Sequence, residues 1–426
     1  MSTIPQSVYE CRSLKKGGKM NGNRGLVKLG EDEFNLVLQY RDFNHINELA
    51  QEKGWSLESA WEYIVDMYIL DEFLDVSRFE DVLGTFVRAP QGMQAHYDNS
   101  IYIPDVPYRI TISWHSTLVR SGISVQVHAY AWNVYKIEYK NKYDQEINLM
   151  QFLRMVQCGD NYSSRLSRVD FTADYFDFPN PYNVSYIHPS FLFDFMQRRL
   201  YQVKNWKGNP SLALGAHHGD EGRINSFELG MRNRNTKLLI RFYDKKYEQE
   251  KKNGFRLQEA MEHNAWMRME CSYRKDYAYQ ITDILLSPSL KTEEDYIRFI
   301  AMMMTEKCRI YDNATDEVIS ITEELLNIAN NPQINHLESG SAWDNDLRRS
   351  VQNHASGNSG LFSTLYKIRR VWSSITDADR LVFDKLFEIY RNKYVPLADS
   401  GEYPSVDKWL RNHGKETAKM TIDDLF

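Results

Sequence analysis

"SRVDFTADYF" (residues 167–176) places Val169, Phe171, Ala173 and Tyr175 at every second position, with Arg168, Asp170, Thr172 and Asp174 between them. Side chains of an extended segment alternate between two faces, so this stretch has an apolar stripe and a charged one. Two later stretches repeat the design. "KLLIRFYDKK" (237–246) sets Ile240 and Phe242 against Arg241, Tyr243 and Lys245. "AWMRMECSYRKD" (265–276) sets Met267, Met269, Cys271 and Tyr273 against Arg268, Glu270, Ser272 and Arg274. Three strands of this kind predict a sheet with one face on a core and the other facing solvent or a ligand.

The pattern around them comes in two rounds. The first runs strand "FNLVLQYRDF" (34–43), helical periodicity over 46–75, strands "SIYIPD", "YRITISWH" and "GISVQVHAYAW", then helix "EINLMQFLRMV". The second runs strand 167–176, helix "SFLFDFMQRRL", strand "NSFELGM" and the two strands quoted above. This order predicts an α+β fold of two related sheet-and-helix halves, 34–157 and 158–290. Residues 1–33 form a polar, Gly/Lys-rich arm, expected to be flexible and basic. From about 280 the periodicity is helical, and 291–426 is expected to be a separate all-α region broken by a polar loop at 336–360. "ELAQEKGWSLESAW" (48–61) has helix-turn-helix spacing, but it is acidic and follows directly on a strand, which fits a scaffold helix.

Hydrophobic residues make up 42% of the 426-residue chain, enough for real cores and against a disordered protein. The net charge of −6 gives no global nucleic-acid signature, but the charge is unevenly placed. Residues 28–110 hold 6 Lys/Arg against 16 Asp/Glu, whereas 197–256 hold 14 against 6. A basic block in an acidic protein suits a phosphate-rich partner; a solvated charged face is the plainer alternative. Cys11, Cys158, Cys271 and Cys308 are scattered without zinc or disulfide spacing, as expected of a reducing cytoplasm. No apolar stretch suggests export or a membrane span. No phosphate-binding glycine motif appears, so no motor is expected.

Asp170, Asp174 and Glu270 on strand faces suit a hard cation, since Mg²⁺ or Mn²⁺ prefers carboxylate oxygens. Ordinary Arg–Asp pairs on a half-exposed face are the competing explanation. Tyr243 stands between two cations. A phenol with a pKa near ~10 is a poor nucleophile at neutral pH unless its anion is stabilised, which cations and a metal both do. Such a site would transfer a phosphoryl group to tyrosine, and on DNA that means a nick with a covalent 5′-phosphotyrosine. Arg168, Arg232, Arg234, Lys237 and Arg268, with Lys204 and Lys207 in "VKNWKGN", are the cations placed to hold DNA.

"RVDFTAD" (168–174), "IRFYDKK" (240–246) and "WMRMEC" (266–271), with "ELGMRNRNTK" before the tyrosine strand, resemble the replication initiation factor family. That family comprises rolling-circle initiators of staphylococcal-type plasmids and related relaxases of Gram-positive conjugative elements. The resemblance covers roughly 34–290. It implies Tyr243 as nicking nucleophile, Asp170, Asp174 and Glu270 as ligands of Mg²⁺ or Mn²⁺, and Arg241 and Lys245 as phosphate contacts. It further implies origin DNA with a hairpin or single-stranded nick site, host helicase and polymerase, and a homodimer. The helical 291–426 has no counterpart in it. The terminal "TIDDLF", with Asp424, Leu425 and Phe426, is similar to peptides that dock on sliding clamps, although an unstructured tail explains it too. Three alternatives stay open: a conjugative relaxase, a non-catalytic DNA-binding regulator, and a metal nuclease that uses water.

Overall fold

The computed structural model describes residues 25–104, 110–157, 159–178, 187–197, 200–220, 223–233, 236–329, 337, 361–402, 406 and 410. It has two compact units, Met1–Leu337 and Glu338–Phe426. The expected arm before residue 25, the loop at 338–360, Arg234 and the terminal Asp424, Leu425 and Phe426 lie outside the described residues.

Twelve strands are described in the first unit. They are β1 (Leu26–Tyr40), β2 (Val87–Arg88), β3 (Asn99–Tyr102), β4 (Ile110–Trp114), β5 (Ile123–Val127), β6 (Tyr162–Phe176), β7 (Tyr201–Lys204), β8 (Leu214–Asp220), β9 (Arg223–Leu229), β10 (Leu238–Asp244), β11 (Trp266–Arg274) and β12 (Arg309–Asp312). Ten of them form one sheet in the order β2-β3-β4-β5-β1-β6-β11-β10-β9-β8. Two 15-residue strands, β1 and β6, pair antiparallel at its centre. Outward from β1 the order is β5, β4, β3, β2; outward from β6 it is β11, β10, β9, β8. In each half the long first strand pairs with the last, and the sheet then steps back along the chain. The α+β class and the two related halves are therefore as the patterning predicts.

Helices cover one face. Phe34 of β1 meets Trp132 edge-on, with centroids 5.0 Å apart. Phe171 of β6 meets Phe299 at 5.9 Å, and the Tyr273 hydroxyl donates to the Met303 carbonyl at 2.6 Å. These last contacts explain a difference from the expected boundary. Helix Glu293–Glu306 buries Phe299, Ile300, Met303 and Met304 completely, so it belongs to the sheet's core rather than to a separate C-terminal region. Each such side chain contributes about 1.5–3 kcal/mol on burial, which a break at 291 would forfeit. The region is not all-α either, since β12 pairs with β7 in a second, two-stranded sheet.

β1 also starts earlier than the alternation suggests, at Leu26. Its register against β6 shifts between Glu31 and Phe34, so a bulge carries Asp32 and Glu33. The second unit contains helices Leu361–Val371, Ala378–Ile389 and Val395–Asp399. Among the described residues no helix is long and apolar enough to cross a membrane.

Candidate active site

Register assembles the site. Across β10, β11 and β6, Arg241 lies opposite Glu270 and Glu270 opposite Thr172; Tyr243 lies opposite Arg268 and Arg268 opposite Asp174. Ser272 opposes Asp170. Directly opposed residues share a face, so the tyrosine and all three expected acids lie on the sheet's polar side.

The Tyr243 hydroxyl donates to Glu270 Oε2 at 3.1 Å. Arg241 lies between two acids, with Nη1 3.4 Å from Glu270 Oε1 and Nε 3.4 Å from Glu228 Oε1. Tyr243 keeps 9% of its surface exposed. Burial and then the Glu270 charge push its phenol well above the ordinary value, although Arg268 opposes them. The phenol is thus held protonated, and its neighbouring cations do not by themselves make it an anion. Glu270 moves the other way from an ordinary surface acid. Burial first, and then the charge of Asp170, raise it to about 7. Burial raises Asp170 as well, despite Arg168 donating from Nε and Nη2.

Asp174 is arranged differently. Its carboxylate accepts from Trp266 Nε1 at 2.8 Å, Arg268 Nε at 2.6 Å, Arg268 Nη2 at 2.8 Å and Arg256 Nη1 at 3.0 Å. Burial would raise it, but the Arg268 and Arg256 charges outweigh that and hold it well below the usual carboxylate range. Fixed by four donors, this carboxylate has no lone pair directed at a cation. The three expected ligands are therefore not gathered into one set. Among the described residues no group of three or more His, Cys, Asp or Glu side chains is placed to hold a metal. Asp170 and Glu270 remain as buried neighbours, the Asp170 charge raising Glu270, with Arg168 paired to the one and Arg241 to the other. Mg²⁺ usually takes one or two carboxylates and completes its shell with water and phosphate, so this pair fits it.

Lys245 is the first residue of helix Lys245–Lys252 rather than the end of the strand, because Asp244 caps that helix by accepting from the Tyr247 N–H at 3.0 Å. Its Nζ nevertheless lies 5.5 Å from the Tyr243 ring centroid and pairs with Glu248 at 2.6 Å. The expected DNA contacts divide. Arg268 is 2% exposed and bound to Asp174 and Asp32, which puts it inside the site instead of at a surface. Arg168 reaches Glu33 at 2.6 Å as well as Asp170. Arg232, its side chain exposed, pairs with Glu228, and Lys237 pairs with Asp276 at 2.7 Å. Lys204 lies in the small second sheet, paired with Asp316 at 2.5 Å, and Lys207 is exposed 5.1 Å from the Trp206 ring.

Asp32, Glu33, Glu228 and Arg256 belong to the site without having been expected. The acidic run "EDE" (31–33) beside a strand was the available signal for the first two. Arg256 gives none, because it reaches Asp174 from 82 residues away.

A model of the replication initiation factor family matches residues 164–338. Among solved structures, a rolling circle replication initiator protein from Geobacillus stearothermophilus aligns with 14% identity and a TM-score of 0.47, over 73% of this chain and 100% of that one. No curated protein matches the sequence. The stretch that holds Tyr243, Glu270, Asp170 and Asp174 lies within residues 164–338, the part similar to the replication initiation factor family.

Proposed function

We propose that the chain starts rolling-circle replication by nicking and rejoining origin DNA through Tyr243. The observation that carries this reading is the Tyr243 hydroxyl, hydrogen-bonded at 3.1 Å to a carboxylate raised to about 7, on a face that also presents Arg241. The phenol oxygen forms a bond to phosphorus as the bond from phosphorus to the 3′-oxygen breaks. The phenolic proton passes to Glu270, and the departing 3′-oxygen takes a proton from solvent to become a free 3′-hydroxyl. Arg241 and Lys245 draw the phosphate toward the nucleophile and offset its charge. Asp170 and Glu270 would hold Mg²⁺ or Mn²⁺, which supplies charge stabilisation at the phosphoryl oxygens. Asp174 acts one step back, locking Arg268 beside the tyrosine.

The phosphotyrosine keeps the energy of the phosphodiester, so rejoining needs no nucleotide triphosphate. A polymerase would extend the 3′-end and a separate helicase would open the duplex, in the cytoplasm. Incubation with supercoiled DNA carrying the element's own origin, with Mn²⁺, tests the reading. A nick with protein covalently on the 5′-end supports it. A nick without an adduct would indicate a water-using nuclease, and intact DNA a non-catalytic regulator.

A further inference from the structure

A cavity of about 340 Å³ opens beside this site and has no part in the chemistry described so far. Its lining includes Asp174 and Arg268, the latter directly opposite Tyr243 in the β10–β11 register. Opposed residues have Cβ atoms about 5 Å apart, so the cavity starts one side chain from the nucleophile. The volume lies at the lower end of the ~300–1,000 Å³ of small-ligand sites.

The lining mixes apolar and aromatic side chains with charged ones. Trp132 is among them, with Ile137 beyond it. Phe255 also lines the cavity, 42% exposed, and meets Tyr130 with centroids 4.7 Å apart. An exposed aromatic side chain in the lining offers a ring on which a base can stack. Asn133 adds a side-chain amide, the group that pairs with donor and acceptor edges of bases. Lys28, paired with Glu259 at 3.0 Å, also lines the cavity.

Each of the five acids in the lining already has a partner. Glu31 accepts from Trp132 Nε1 at 2.8 Å, Lys136 Nζ at 3.2 Å and the Tyr296 hydroxyl at 2.8 Å, and Asp174 is held as described above. Asp32 pairs with Arg268 at 3.1 Å, Glu146 with Lys140 at 2.5 Å, and Glu293 accepts from Asn148 Nδ2 at 2.8 Å.

We infer that this cavity receives one unpaired nucleobase of the strand being cut, turned out next to the attacked phosphate. The inference rests on the nicking reading above. A seated base would fix the register of the backbone over Tyr243, so the pocket would select where the nick falls. It also requires that position to be single-stranded, since a paired base cannot enter.

The test uses the full chain and a single-stranded oligonucleotide spanning the nick mapped on the element's own DNA. Abasic sites are placed one at a time across the positions flanking the nick, and covalent adduct is quantified. One flanking position is expected to lower wild-type adduct about tenfold or more, with its neighbours near neutral. Phe255→Ala, at an exposed position, should lower adduct on intact strand by a similar factor and lose sensitivity to that lesion. Ile137→Trp, which fills the recess, should behave alike provided its melting curve matches wild type.

Normal adduct yield with an abasic site at every position would overturn the pocket and leave the nicking reading intact. So would Phe255→Ala retaining the wild-type lesion profile. Protection of the cavity by free adenosine or thymidine monophosphate, with abasic strands cut normally, would reassign it to a free nucleotide. Absence of adduct on every strand would remove the nicking reading itself.

Discussion

In the half built on β6, β11 and β10, the polar face of the sheet carries Asp170, Asp174, Arg268, Glu270, Arg241 and Tyr243. In the half built on β1, β5 and β4, the matching face carries Asn35, Gln126, Ser124, Thr111 and Ser113. The topology is the same, and the contents are not. In the second case short neutral groups satisfy one another: Ser100 and Ser113 share a 2.7 Å hydrogen bond, and Gln94 bonds Thr111 and Ser124 from the segment between β2 and β3. That face is closed by its own chain. In the first case buried charges are held in a network that gathers one phenol and two acids on a single face. The difference teaches that one sheet topology can carry either a self-satisfied neutral face or a network of buried charges, and that the residues on the face decide which.

Substitutions on the two faces should therefore have effects of different kinds. The largest is Tyr243→Phe, which removes the proposed attacking oxygen and leaves the ring. Covalent adduct should fall by on the order of 10⁴-fold or more, with a thermal melt close to wild type. Glu270→Gln keeps a hydrogen-bond partner for Tyr243 but cannot take its proton as a carboxylate does. Adduct formation should slow by roughly 10²–10³-fold, within the range of a lost general base. Asp174→Ala is expected to act through stability. It leaves Arg268 with Asp32 alone and Arg256 with Glu259 alone, and should cost about 3 kcal/mol in denaturant unfolding, the lower end for a broken buried pair.

The pH dependence of that cost follows from Asp174's depressed folded-state value. Its contribution is complete above the unfolded carboxylate range, near pH ~4, and is lost as pH falls through the lower folded value. The gap between wild type and Asp174→Ala should thus be constant at neutral pH and narrow only in strong acid. The smallest effect is predicted for the quiet half. Ser113→Ala should cost about 1 kcal/mol of stability and leave nicking unchanged. A nicking defect from Ser113→Ala would break the comparison.

The frame was legible because alternation of apolar and polar residues records which side of a strand is covered. It failed at the ends of elements. "LVKLGEDE" (26–33) reads as a polar arm since Gly30 and the acidic run interrupt the alternation, and the bulge at Asp32 and Glu33 is the physical cause. Helix Glu293–Glu306 is apolar enough to belong to any core, and only contact with Phe171 and Tyr273 assigns it to this one. For the candidate site, residue types and spacing picked out a tyrosine strand and acids that the register places on one face. They could not separate Asp174 from Glu270, because what distinguishes them is the neighbour. Arg256 and Arg268 neutralise Asp174, whereas Glu270 faces Asp170, and such pairings depend on register across strands far apart in sequence.

The most direct measurement is peptide mapping by mass spectrometry of the protein trapped on its origin strand, to find which residue bears the nucleotide. The account predicts a phosphodiester on Tyr243, in the peptide running through "IRFYDKK". Attachment at another tyrosine, such as Tyr40 or Tyr247, would keep the class of reaction and contradict the site. Efficient nicking with no modified residue would contradict the central claim that this phenol is the nucleophile.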